Sequence, residues 1–272
     1  MSYEPRMILK CAPNARDLGG IETADGRRIK SGRLIRSGKL SSIEAEDIEY
    51  LESINLKTVV DFRTIQEQIE KPDMKLPGVE HISCPIFEGK TEGITREKPE
   101  TEDEEAIRTV AMARHLMPRC PDGREQMRSL YALLVTDSHA IEYYKKFFDI
   151  LLAHEDGALL YHCMMGKDRV GTGTSLLLHA LGVCREDIIS DYMITLERCA
   201  PGTKRLLENC GRYTDSEEEL KFIYDLDIVD ESYICAGFDA IDENFGGMET
   251  FLRNQMCLTD EKLERLKALY LE

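Results

Sequence analysis

Ala158-Leu159-Leu160-Tyr161-His162-Cys163-Met164-Met165-Gly166-Lys167-Asp168-Arg169-Val170-Gly171 is the stretch on which the fold turns. Its first five residues are a short apolar run behind Gly157, the pattern of a buried strand. Val170 to Leu181 has helical character, and Gly182 is placed to close that helix. A strand that passes through a glycine-containing loop directly into a helix is the unit of an open α/β sheet. In such sheets the loop at the carboxyl end of the strand is where ligands bind.

Working outward, Lys57-Thr58-Val59-Val60-Asp61-Phe62 and Val79 to Ile86 read as further buried, β-branched strands. Arg28 to Arg36 suggests short strands after the turn at Asp25-Gly26. Ile43 to Ile54 predicts a helix with acids in its first turn, and Ser138 is placed to cap another through Ala153. Glu104 to Met117 predicts an amphipathic helix with Ile107, Val110, Ala111 and Arg114 on one face. From Glu186 onward the chain reads as almost wholly helical, with breaks near Pro201-Gly202, Gly211 and Gly246-Gly247. Thr259 starts a last helix with Leu263, Leu266, Leu269 and Tyr270 facing inward. The expectation is an α/β fold: a mostly parallel central sheet flanked by helices, with helical insertions and a helical C-terminal tail, in one domain over 1–272. The stretch Glu88 to Glu105, rich in Glu, Thr, Lys and Pro, predicts an exposed loop. Segments 88–120 and 200–231 are candidate lids.

Composition bounds the function. With 272 residues, 42% hydrophobic and 32% charged, the chain can bury a sizeable core without disulfides or a structural metal. A net charge of −16 excludes nucleic acid as a natural partner and disfavours docking on anionic membranes. Any phosphate ligand must find its positive field within a pocket. No segment approaches the ~18 apolar residues of a membrane span, and Met1 to Gly20 lacks a signal-like apolar stretch. Nine cysteines without a CxxC pair or a zinc-spaced Cys/His cluster indicate a reduced, cytoplasmic protein with free thiols and neither metal nor cofactor.

The chemistry lies between Cys163 and Arg169. A cysteine, five residues and an arginine is the minimum loop for a thiolate that attacks phosphorus. The backbone N–H groups of Met164, Met165, Gly166, Lys167 and Asp168 can curl into an anion nest at the N-terminus of the following helix. Arg169 can then hold two phosphoryl oxygens in its planar fork. The spacing alone is weak, because nine cysteines and 20 arginines give roughly 0.7 chance matches per chain. Cys199-Ala200-Pro201-Gly202-Thr203-Lys204-Arg205 has the same spacing, but it follows a helical segment, and Pro201 removes one of the amides. Cys199 is therefore read as structural, at a helix end.

His162 to Arg169 with Gly171 resembles the HCxxGKDRTG loop of the tyrosine-phosphatase-like family of bacteria and fungi. That family includes secreted mycobacterial and listerial phosphatases acting on phosphotyrosine and phosphoinositides. Asn14-Ala15-Arg16-Asp17-Leu18-Gly19-Gly20 is similar to its NxRDLGG block. Gly32-Arg33-Leu34-Ile35-Arg36-Ser37 and Val60-Asp61-Phe62-Arg63 match the next two blocks in order, and Gly246-Gly247 to Leu271 resembles its closing helices. The resemblance implies a metal-independent phosphomonoesterase with a phosphocysteine intermediate, Cys163 as nucleophile and Arg169 as phosphoryl clamp. Phosphorylated proteins, phosphoinositides or small phosphomonoesters are the implied substrates. The chain has no tryptophan, hence no Trp-Pro-Asp acid loop, so Asp168 and Asp61 compete as general acid. His162 reads as a loop-organising residue, Arg63 or Arg16 as a partner of Asp61 in a structural network, Lys167 as a second phosphate contact, and Met164 and Met165 as pocket wall.

Val170 departs from the family, which carries Thr or Ser after the arginine. A hydroxyl there can hydrogen-bond the departing thiolate, so slow turnover is expected unless Thr172 or Thr174 substitutes. Two other readings stand beside the phosphatase: a phosphate-recognising domain with poor turnover, and a rhodanese-like sulfurtransferase.

Overall fold

A computed structural model describes residues 9–89 and 101–272. Five strands form one sheet: β1 (Arg16–Asp17), β2 (Leu34–Ser37), β3 (Leu56–Asp61), β4 (Glu80–Ser83) and β5 (Ala158–His162), in the order β1-β2-β5-β3-β4. The pairs β2–β5, β5–β3 and β3–β4 are parallel, and only β1 joins antiparallel. Register brings the carboxyl ends together: Ser37 and Asp61 both pair with His162, and Asp61 also pairs with Ser83. The residues that follow these strands therefore meet along one edge. That edge holds the site.

Eleven helices are present among the described residues. They are α1 (Ala45–Ser53), α2 (Ile65–Glu70), α3 (Glu102–Leu116), α4 (Gly123–Thr136), α5 (Ser138–Ala153), α6 (Asp168–Leu181), α7 (Arg185–Cys210), α8 (Glu217–Asp227), α9 (Glu231–Phe245), α10 (Met248–Asn254) and α11 (Asp260–Tyr270). None is long and apolar enough to cross a membrane. Strand alternation divides the core between the two sheet faces. Ala158 and Leu160 of β5 join Ile35, Val59 and Leu51 on one side. Leu159 and Tyr161 join Val60, Phe62 and the apolar faces of α4, α5, α6 and α9 on the other.

The helices differ from expectation in three places. Asp137, not Ser138, caps α5, because its carboxylate accepts the Ala140 N–H at 2.9 Å. The buried face of α3 is Ala106, Val110, Ala113 and Leu116, one residue out of step with the expected stripe, and Ile107 is exposed. Pro201 does not break its helix. It lies inside the continuous α7, where buried Cys199, Thr203 and Leu206 pack the inner face across the lost hydrogen bond. Cys199 is accordingly a mid-helix residue. The two candidate lid segments meet, since α3 packs against both α7 and α8. Residues 90–100 of the first segment, and with them most of the expected Glu88–Glu105 loop, lie outside the described residues. Other signals held: Gly182 ends α6 at φ 89°, and Thr259 caps α11 by accepting the Lys262 N–H.

Candidate active site

The loop from Cys163 to Lys167 leaves β5 and enters α6 at Asp168. Its bend depends on Gly166, which has φ +67°. A Cβ there would lie 2.6 Å from the Ser37 carbonyl carbon and oxygen, so no other residue fits. Two loop carbonyls are engaged outside the loop. Met164 O accepts from Lys39 N at 3.1 Å, and Gly166 O accepts from Asn14 Nδ2 at 2.7 Å and Arg36 Nη2 at 3.0 Å. The backbone N–H groups of Met164 to Asp168 donate to no acceptor among the described residues. Five consecutive donors at a helix N-terminus, with two of the loop carbonyls engaged elsewhere, are an arrangement that can hold an anion. Cys163 lies at its start, 3% exposed.

Arg169, in the first turn of α6, is 1% exposed. Its Nη1 donates to Glu67 Oε2 at 2.6 Å and its Nη2 to Glu67 Oε1 at 3.1 Å, an end-on pairing. Burial works against the charge of Arg169, but the Glu67 carboxylate outweighs it, and the guanidinium pKa is raised. Glu67 is itself fixed by a capping box on α2: Thr64 N donates to Glu67 Oε2 at 2.9 Å, and Glu67 N to Thr64 Oγ1 at 3.2 Å.

The two candidate acids have different surroundings. Asp61 is bound to Arg63, accepting from its backbone N–H at 2.9 Å and from its guanidinium at 2.7–3.1 Å. Arg63 Nη2 also lies 2.9 Å from Asp73 Oδ2, which lies 2.9 Å from His162 Nε2. Burial lowers and the carboxylates of Asp61 and Asp73 raise the His162 pKa. The net shift is upward, and the His162 Nδ1 meets Cys163 O at 3.2 Å. Asp61, Asp73 and His162 could offer three metal-ligand atoms within 4.8 Å of one another, but the Arg63 guanidinium already pairs with both carboxylates. Asp168 lies within the loop itself. Its Oδ1 accepts from Tyr131 OH at 2.9 Å, and Tyr131 OH in turn accepts from Tyr192 OH at 2.7 Å.

Lys167 departs from the expected phosphate contact. Its ammonium is buried and donates to Leu226 O, Asp227 O and Ile228 O at 3.0, 2.8 and 3.4 Å, at the negative end of α8. Its backbone N–H is what it leaves to the nest. Thr174 is engaged with Tyr161 at 2.8 Å, whereas Thr172 carries a buried hydroxyl without a well-directed hydrogen bond, beside Tyr144. Val170 is fully buried. Cys84 and Cys163 follow strands that flank β3, roughly 9.5 Å apart by strand spacing, beyond the reach of a disulfide without backbone movement. Burial pushes the Cys84 thiol up to about 12, and that of Cys199 up as well.

The structure thus gathers Cys163, Gly166, Asp168, Arg169, His162, Asp61 and Arg63 at one sheet edge, and places Cys199 inside α7 rather than in a loop of its own. Sequence reasoning missed Glu67, Asp73, Tyr131 and Asp191. The Thr64-x-x-Glu67 capping box signalled the first; nothing local signalled the others.

The sequence model of the tyrosine phosphatase family matches residues 7–272. A protein of Cupriavidus necator named as a tyrosine-protein phosphatase is 30% identical, over 89% of this chain and 81% of its own. The triple specificity protein phosphatase PtpB of Mycobacterium tuberculosis is 23% identical over 89% of this chain and 90% of its own. A tyrosine-protein phosphatase of Nostoc commune is 26% identical over 61% of this chain and 49% of its own.

Proposed function

Because the chain belongs to the tyrosine phosphatase family, we propose that it hydrolyses phosphomonoesters through a phosphocysteine on Cys163, without metal. The observation that carries this reading is the row of undonated amides from Met164 to Asp168 beside the thiol. The Cys163 thiolate attacks phosphorus, the S–P bond forms and the P–O bond to the leaving group breaks. The five amides and the Arg169 guanidinium, which Glu67 meets through Nη1 and Nη2 and not through Nε, hold the equatorial oxygens as charge moves through them. Asp168 protonates the leaving oxygen and later takes a proton from the water that splits S–P. Asp61 is assigned instead to orienting Arg63, on its four contacts with that residue.

Phosphotyrosine in proteins is the first substrate class on this reading, supported by the names of the relatives; phosphoinositides are second, on the resemblance of the His162–Arg169 loop alone. The end of α7 together with α8 serves as the lid, tied to the loop through Lys167. Nine free cysteines fit a reducing compartment, and we place the protein in the cytoplasm. A second reading, phosphate binding with slow turnover, is favoured by the buried Val170 where the family has a hydroxyl. Family membership removes the motive for the sulfurtransferase reading. The test is turnover of phosphopeptides, soluble phosphoinositides and inositol phosphates in EDTA. Hydrolysis of phosphotyrosine peptide supports the first reading; tight phosphate binding without turnover supports the second.

A further inference from the structure

Beneath the loop, on the side away from substrate, lies a buried cluster that the reaction as described does not use. Asp191 of α7 sits between two guanidinium groups. It accepts from Arg16 Nε at 2.8 Å and Nη2 at 3.1 Å, and from Arg36 Nη1 at 2.8 Å. All three side chains are at most 2% exposed. One carboxylate between two buried cations leaves a net positive charge below the loop.

The second arm of each guanidinium leads to the same atom. Arg36 Nη2 donates to Gly166 O at 3.0 Å. Arg16 Nη1 donates to Asn14 Oδ1 at 2.5 Å, and that amide donates to Gly166 O at 2.7 Å and to Thr195 Oγ1 of α7 at 3.1 Å. The Gly166 carbonyl is thus pulled outward by two donors that Asp191 sets in place. A peptide plane is rigid, so drawing this carbonyl out turns the following N–H, that of Lys167, toward the nest. The backbone runs close to β2 here, since a Cβ on Gly166 would lie 2.6 Å from the Ser37 carbonyl. These contacts give the Asn14-x-Arg16 and Arg36-Ser37 blocks a common target.

We propose that Arg36 and Asn14, both fixed by Asp191, are positioning residues that shape the anion cradle through the Gly166 carbonyl. The proposal rests on the phosphatase reading of the loop. Lysine at position 36 keeps the charge but cannot span Asp191 and Gly166 O together, and alanine at position 14 removes one donor without touching the Arg36–Asp191 pair.

The test measures binding of inorganic phosphate by titration calorimetry, and turnover of p-nitrophenyl phosphate, in the full chain and in Arg36→Lys, Asn14→Ala and Asp191→Asn. Tyr270→Phe is the control; Tyr270 of α11 is buried, and its hydroxyl donates to Leu151 O of α5 at 2.8 Å, in contact with neither the loop nor its carbonyl partners. The expected result is phosphate affinity weakened about ten-fold or more in Arg36→Lys and Asp191→Asn, and a few-fold in Asn14→Ala. Tyr270→Phe should lower the melting temperature yet leave phosphate affinity unchanged. If Asp191→Asn does not fold, Arg36→Lys and Asn14→Ala decide. Wild-type affinity in both, with wild type binding phosphate and turning over, would overturn this proposal alone. A wild type that neither binds phosphate nor turns over would overturn the functional reading and this proposal with it.

Discussion

Glu67→Gln keeps the shape of the residue that holds Arg169 and removes its charge. In the structure the carboxylate gives one oxygen to each Nη, at 2.6 and 3.1 Å, and one of those oxygens also receives Thr64 N at 2.9 Å. The amide oxygen of glutamine can keep the Thr64 and Nη1 contacts, but its NH₂ then faces the Nη2 donor. One charge-assisted hydrogen bond, about 1.5–3 kcal/mol, is lost outright. The guanidinium also loses its countercharge in a site where both partners are nearly inaccessible to water. Complete removal of one partner from such a pair costs about 3–5 kcal/mol, and the isosteric amide should cost about half of that. We expect kcat/KM on p-nitrophenyl phosphate to fall by about 2 kcal/mol, roughly thirty-fold, with kcat falling more than KM rises. The split follows because Arg169 is needed most where negative charge is spread over the equatorial oxygens. Steady-state kinetics in EDTA, with denaturant unfolding of the same protein, measures both sides. A folded Glu67→Gln variant within about three-fold of wild type would refute the claim that Glu67 holds the phosphoryl clamp.

Val170→Thr supplies the hydroxyl that the family carries after the arginine, so the burst of nitrophenol before steady turnover should shrink and the steady rate rise. One hydrogen bond to a charged group is worth about 1.5–3 kcal/mol, roughly ten-fold to a hundred-fold; an unchanged rate would make Val170 a packing residue only. Cys199→Ser should leave turnover within about three-fold, because Cys199 lies inside α7 with its thiol pKa raised by burial; collapse of activity in the folded variant would show that the wrong loop was chosen. His179, T-stacked on Phe238 and held at about 4 by burial and by Arg185, is neutral in the native protein. Its folded pKa is below its unfolded value of 6.5, so it takes a proton more readily when unfolded, and stability should fall between pH 6.5 and 4. Between pH 7 and 4.5 that loss is about 2 kcal/mol, and denaturant unfolding of His179→Phe at both pH values should recover most of it.

The loop and its fold were legible because local signals agreed there. An apolar run, a glycine at the bend and a helix-ready sequence point the same way, and β5 and the end of α6 fall where expected. Pro201 shows the opposite case: a strong local breaker was overridden by the inner face of a 26-residue helix. Lys167 was legible as a charge but not as a direction, since its target is a set of carbonyls about 60 residues away that only the folded chain brings near. Asp191 and Asp73 carry no local signature, because their roles come from the arginines and the histidine that sheet register delivers to them. The proposed choice of Asp168 over Asp61 rests on contacts of the same kind, four to Arg63 on one side and the Tyr131 hydroxyl on the other.

The central claim is that phosphate passes through Cys163. Acid quenching during steady turnover of p-nitrophenyl phosphate in EDTA, followed by peptide mass spectrometry, tests it most directly. The account predicts one added phosphoryl group on the peptide containing Cys163, absent in Cys163→Ser, which should still bind phosphate. Turnover that proceeds with Cys163 replaced, or a phosphoryl group found on another residue, would contradict it.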